Sequence, residues 1–133
     1  KNGKITVFGG DQTRPNIHIQ DIANVYRHFL TKPDIASGCY NAGFENISIL
    51  DIAEQVKSQI GAEIVVSASN DPRSYRQDSS KLLATGFQPS HSVADAISEI
   101  ADAFHQNSLP DGDSCYTVKW MRHLDLASPG VSP

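Results

Sequence analysis

An α/β fold of short strands and about four helices is what the sequence predicts, and three observations predict it. β-prone runs such as Ile5-Thr6-Val7-Phe8 and Ile64-Val65-Val66 are brief and bounded by turn residues. Between them, apolar residues recur at helical spacing, as in Ile22, Val25, Tyr26 and Phe29. Glycine and proline punctuate the boundaries between the two kinds of segment.

Each element can be justified in order. Lys1-Asn2-Gly3-Lys4 reads as a tight turn into the first strand, which implies a preceding partner strand and a chain that starts inside a larger body. Gly9-Gly10 stops that strand, and the alternation in Asn16-Ile17-His18-Ile19 predicts a second. Asp21 stands at a helix start, where its carboxylate suits free backbone N–H groups better than catalysis. Lys32-Pro33 ends that helix. Gly38-Cys39-Tyr40-Asn41 predicts a third strand.

Ser48 and Asp51 form a capping-box variant that opens a helix through Ile52, Ala53, Val56 and Ile60, with Gly61 as its C-terminal cap. A strand over 63–67 follows, then turn chemistry at Asn70-Asp71-Pro72 and an extended stretch over 73–77. Residues 79–83 predict a short helix. Ser92 and Asp95 repeat the capping pattern before the stripe Val93, Ala96, Ile97, Ile100 and Phe104. Residues 107–114 read as a linker, 116–126 as a last amphipathic helix in which Tyr116 and Trp120 serve packing, and 127–133 as a frayed tail. The expected organisation is therefore a main portion over 1–106 and a linker, helix and tail over 107–133. Such short strands suit the edge of a larger α/β body rather than a self-sufficient sheet.

Composition excludes several function classes. The net charge of −4 and the absence of a lysine- or arginine-rich face argue against nucleic acid as a partner. No apolar run is long enough to cross a membrane. No signal peptide opens the chain, so Cys39 and Cys115 are expected as reduced thiols in a cytoplasmic protein. The five histidines lack ligand spacing, so no metal is expected.

No complete catalytic kit is present. GxSxG, the P-loop and GxGxxG are missing, and no tyrosine has a lysine four residues on. No catalytic or cofactor-binding residue is therefore assigned. Two segments offer ligand chemistry instead. In Gly9-Gly10-Asp11-Gln12-Thr13-Arg14, glycines permit close backbone approach and an arginine can fork onto a phosphate. The plain alternative is a surface turn with a solvated arginine. In Asp71-Pro72-Arg73-Ser74-Tyr75-Arg76, extended backbone would send Arg73 and Arg76 to opposite faces. The alternative there is an exposed loop with a surface ion pair.

Read together, these segments resemble a known family. Residues 12–23, QTRPNIHIQDIA, resemble the Q-x-R-x-x-x-H-V-x-D-x-A stretch of extended short-chain dehydrogenases/reductases. Tyr40-Asn41-Ala42-Gly43 with residues 48–53 is similar to that family's Y-N-x-G and the helix after it. Residues 71–82 with Gly86-Phe87-Gln88-Pro89 resemble its D-x-R-x-Y-x-x-D-x-x-K and L-G-x-x-P segments. Pro15-Asn16 departs from the acid and aromatic that relatives often carry.

The resemblance implies the C-terminal, substrate-binding part of an NAD-dependent sugar-nucleotide epimerase or dehydratase, with the Rossmann half missing. It implies that Arg14, Arg73, Gln12 and Tyr75 contact a nucleotide-diphosphate sugar. NAD or NADP would be bound mainly by the missing half, and the parent enzyme would be a homodimer. Two other readings stand beside it: a non-catalytic interaction or regulatory module that keeps the fold, and a family member acting on a small alcohol or steroid-like ketone.

Overall fold

The computed structural model describes residues 3–110 and 112–124. The turn expected at Lys1-Asn2, Asp111 of the linker, the end of the last helix and the tail lie outside the described residues. The chain divides into two compact units, Lys1–Ala101 and Asp102–Pro133.

The first unit holds two small sheets. β1 (Lys4–Phe8) pairs in parallel with β4 (Glu63–Ser67), with Ile5 opposite Ile64 and Val7 opposite Val66. β2 (Thr13–Asn16) pairs antiparallel with β3 (Glu45–Ser48), with Arg14 opposite Ile47. Helix α1 (Ile19–Thr31) lies between β2 and β3 in the chain, and α2 (Ile49–Ile60) between β3 and β4. α2 packs on β1, β3 and β4, which covers one face of the parallel pair. α3 (Ser80–Leu83) is a single turn, and α4 (Val93–His105) follows.

Local chemistry accounts for the helix ends. The Ser48 hydroxyl accepts from Asp51 N–H at 3.0 Å and donates to the Asp51 carboxylate at 2.7 Å. The acid thus answers the serine side chain rather than its backbone, and the next two free N–H groups, of Ile49 and Leu50, bond the carbonyls of Gln12 and Gly10. Gly61 caps α2 in the left-handed region at φ 69°. Before α4, the Asp95 carboxylate accepts both Ser92 N–H and hydroxyl, a full capping box.

Two expected strands are corrected. Residues 16–19 do not form one strand: β2 ends at Asn16, and His18 is the N-cap of α1, its Nδ1 accepting Gln20 N–H at 3.1 Å. Residues 38–41 form no strand: the Cys39 carbonyl accepts from Lys81 Nζ at 2.8 Å, and the Asn41 side chain donates to Asp78 O at 3.1 Å, in place of pairing with a neighbouring strand. The remaining helices and strands of this unit match the expected elements within a residue or two, except β3 (Glu45–Ser48), which corresponds to no expected strand.

The core is small: Val7, Ala53, Ala62, Leu82 and Phe87 are its buried apolar residues among those described. Aromatic rings extend it, with Phe44 stacked on Phe87 at 5.6 Å and His28 edge-on to Phe87 at 5.4 Å. In the second unit, a 3-10 turn over Asp113–Cys115 leads into α5 (Thr117–His123). The expected stripe of Val118, Met121 and Leu124 is exposed, as a seven-residue helix resting on one turn has little to bury against. Trp120 stacks on His123 at 5.4 Å rather than in a core. Cys39 and Cys115 are exposed free thiols.

Leu82 is fully enclosed, so Leu82→Ala should lower the unfolding free energy by about 2–5 kcal/mol, read as a shifted midpoint in urea.

Candidate functional site

The β1–β2 turn and the segment after β4 are far apart in sequence and adjacent in space. Gln12 is the reason. Its side-chain amide accepts Gly10 N–H at 2.7 Å and donates to Asp71 O at 3.1 Å and, at 3.4 Å, to Phe8 O. Gly9, at φ 80°, leaves the room this amide fills, since a Cβ there would stand 2.3 Å from Gln12 Nε2. Two further bonds join the segments: Thr13 N–H to Ser74 Oγ at 3.0 Å and Tyr75 N–H to Thr13 O at 3.2 Å.

This joint places two guanidinium groups on one carboxylate. Arg73 binds Asp71 through a fork, Nε to Oδ1 at 2.7 Å and Nη2 to Oδ2 at 2.8 Å. Arg14 Nη2 reaches Asp71 Oδ2 at 3.5 Å. Arg14 Nη1 donates to the carbonyls of Thr13 and Arg73, and its guanidinium carbon lies 5.0 Å from the Tyr75 ring centre. Arg14 is therefore fixed on several sides, with its side chain 22% exposed, whereas that of Arg73 is 77% exposed.

The Asp71 carboxyl is held well below the usual carboxylate range. The Arg73 side-chain bonds are the chief cause, with the Arg73 N–H and the Arg14 charge adding to them. Arg73 is correspondingly raised, first by the same bonds.

All four residues expected at a ligand site thus meet around Asp71. Arg14 and Arg73 bond its carboxylate, Tyr75 lies against Arg14, and Gln12 holds the backbone beneath. Arg76 makes no part of the cluster and is exposed. Two cations and one carboxylate leave a local excess of positive charge, which suits a ligand bearing phosphate.

A second polar cluster was not foreseen as one. Asp21 is fully buried in the first turn of α1 and does not cap its own helix. It accepts Ser90 N–H at 3.1 Å, Ser90 hydroxyl at 2.9 Å and His91 N–H at 3.0 Å, and so ties α1 to the turn before α4. His91 stacks on His18 with ring centres 4.5 Å apart, and His18 Nε2 meets Glu99 Oε2 at 3.2 Å. Burial alone would push Asp21 up, but the bonds from His91 N–H, Ser90 and Asn24 together hold it at about 2. The aspartate at a helix start was legible in the sequence. Its partners, some seventy residues on, carry no spacing that announces them.

A groove of about 750 Å³ runs along α1, lined by Ile22, Val25, Tyr26, Phe29, Pro33 and Tyr40 among others. None of the four expected site residues lines it. No helix of the described residues is long and apolar enough to cross a membrane.

No protein-family model matches the chain. Among solved structures, the fold is similar to that of RMD from Pseudomonas aeruginosa, determined in complex with NADPH, with a TM-score of 0.60 and 22% identity. The likeness is one of fold. It is a mixed α/β fold with short strands. The match covers 73% of this chain and 34% of RMD, so the chain spans about a third of the length of that protein.

The folded Asp21 carboxyl lies below its ordinary 3.8, so its contribution is present above that value and lost as pH falls toward about 2. Asp21→Ala should cost about 2 kcal/mol or more at pH 7 and flatten the loss of stability between about pH 4 and 2, as read in urea titrations across that range.

Proposed function

We propose that this chain is the substrate-gripping portion of an NAD(P)-dependent enzyme that modifies nucleotide-diphosphate sugars, of the epimerase/dehydratase kind. Arg14 and Arg73 hold the diphosphate. Tyr75 flanks the ligand and steadies Arg14, and Gln12 positions the loop that presents both. The observation that carries this reading is the convergence of two arginines, on segments joined by backbone bonds, upon a single anionic group.

The likeness of fold to RMD, a structure complexed with NADPH, supports a nicotinamide cofactor for the parent polypeptide, held outside this chain by a Rossmann half. That cofactor carries the hydride chemistry. The residues here supply binding energy remote from the reacting carbon, which orients the sugar against the nicotinamide. Arg14, sheltered and braced by Tyr75, fixes the phosphate position. Arg73, exposed, closes on it from solvent.

The test is binding by the complete polypeptide that carries this chain. Arg73→Ala and Arg14→Ala should each weaken sugar-nucleotide binding at least about tenfold while leaving NAD(P) affinity nearly unchanged. Equal losses for both ligands, with folding intact, would contradict the reading.

A further inference from the structure

We propose that the Asp71 carboxylate is a built-in competitor for the anion site: it occupies Arg73 and Arg14 in the free protein, and a phosphate-bearing ligand must displace it. The inference rests on reading this pair as a phosphate site.

Geometry makes the case. The forked contact from Arg73 Nε and Nη2 to the two Asp71 oxygens uses the guanidinium edge that would otherwise receive two phosphate oxygens. Arg14 Nη2 completes the arrangement on Oδ2. The Asp71 main chain is anchored independently, its N–H to Ser69 Oγ at 3.1 Å and its carbonyl to Gln12 Nε2 at 3.1 Å. Displacement therefore requires that the side chain swing away and release Arg73 N–H, while Ser69 and Gln12 keep the Asp71 main chain in place.

The magnitudes point the same way. A pair between residues two apart, with Arg73 largely exposed, contributes little in water. A phosphate group carrying two charges gains from both arginines and outbids one carboxylate, whereas a singly charged carboxylic acid does not. Asp71 thus selects for highly charged ligands. Its low proton affinity keeps it ionised through the neutral range, so the competition is one of charge and not of pH.

Asp71→Asn separates competition from organisation, because the amide oxygen can still accept Arg73 N–H, now bonded to Oδ1 at 3.1 Å. Titration calorimetry with inorganic pyrophosphate on the complete polypeptide that carries this chain would compare the native chain, Asp71→Asn and Arg73→Ala, each checked for native backbone amide spectra. Asp71→Asn should bind pyrophosphate roughly fivefold tighter than the native chain, and Arg73→Ala should lose binding. Binding that needs Arg73 but is unchanged or weaker in Asp71→Asn would overturn the competitor and leave the phosphate site standing. Absence of Arg73-dependent binding in both the native chain and Asp71→Asn would overturn both.

Discussion

The Gln12 side-chain amide bonds backbone on three sides, to Gly10, Phe8 and Asp71, and the candidate site hangs from those bonds. β1 and β4 run side by side in parallel, so the loops leaving their C-terminal ends emerge next to one another. Adjacency alone would leave two mobile loops. The amide converts it into a fixed joint, and the carbonyls of Gly10 and Gln12 extend the joint by accepting the first free N–H groups of α2. Sheet, helix start and arginine loop are one hydrogen-bonded unit.

That unit explains the unequal state of the two arginines. Arg14 comes from a strand with a defined partner, and it is bonded to carbonyls and braced by Tyr75. Arg73 comes from irregular backbone and leans on Asp71 alone. A rigid cation beside an exposed one is suited to a ligand that must enter, be gripped and leave. Preorganisation of one partner limits the ordering cost of binding, while the other remains free to adjust.

The sequence made legible what is encoded within a few residues. Ser48 with Asp51, Ser92 with Asp95, and Gly61 are caps whose partners lie in the same turn, and each forms, with Asp51 reaching back to the Ser48 hydroxyl rather than its N–H. The arginine segments were also legible, since each motif is contiguous. What escaped was non-local. Residues 38–41 look β-prone, yet the Cys39 carbonyl is taken by the Lys81 side chain and the Asn41 side chain reaches out to Asp78 O, rather than a neighbouring strand pairing with them. His18 alternates like a strand residue, yet its ring caps a helix and stacks on His91. Asp71 read as turn chemistry, and only the fold shows it shared between Arg14 and Arg73.

The central claim is that residues from two distant segments form one anion site. The most direct measurement is the arginine Nε–H region of nitrogen-15 spectra as a nucleoside diphosphate is added to the complete polypeptide that carries this chain. A single site predicts that the Arg14 and Arg73 signals move together along one saturation curve with one dissociation constant. Movement of Arg73 alone, or two curves with different midpoints, would contradict it.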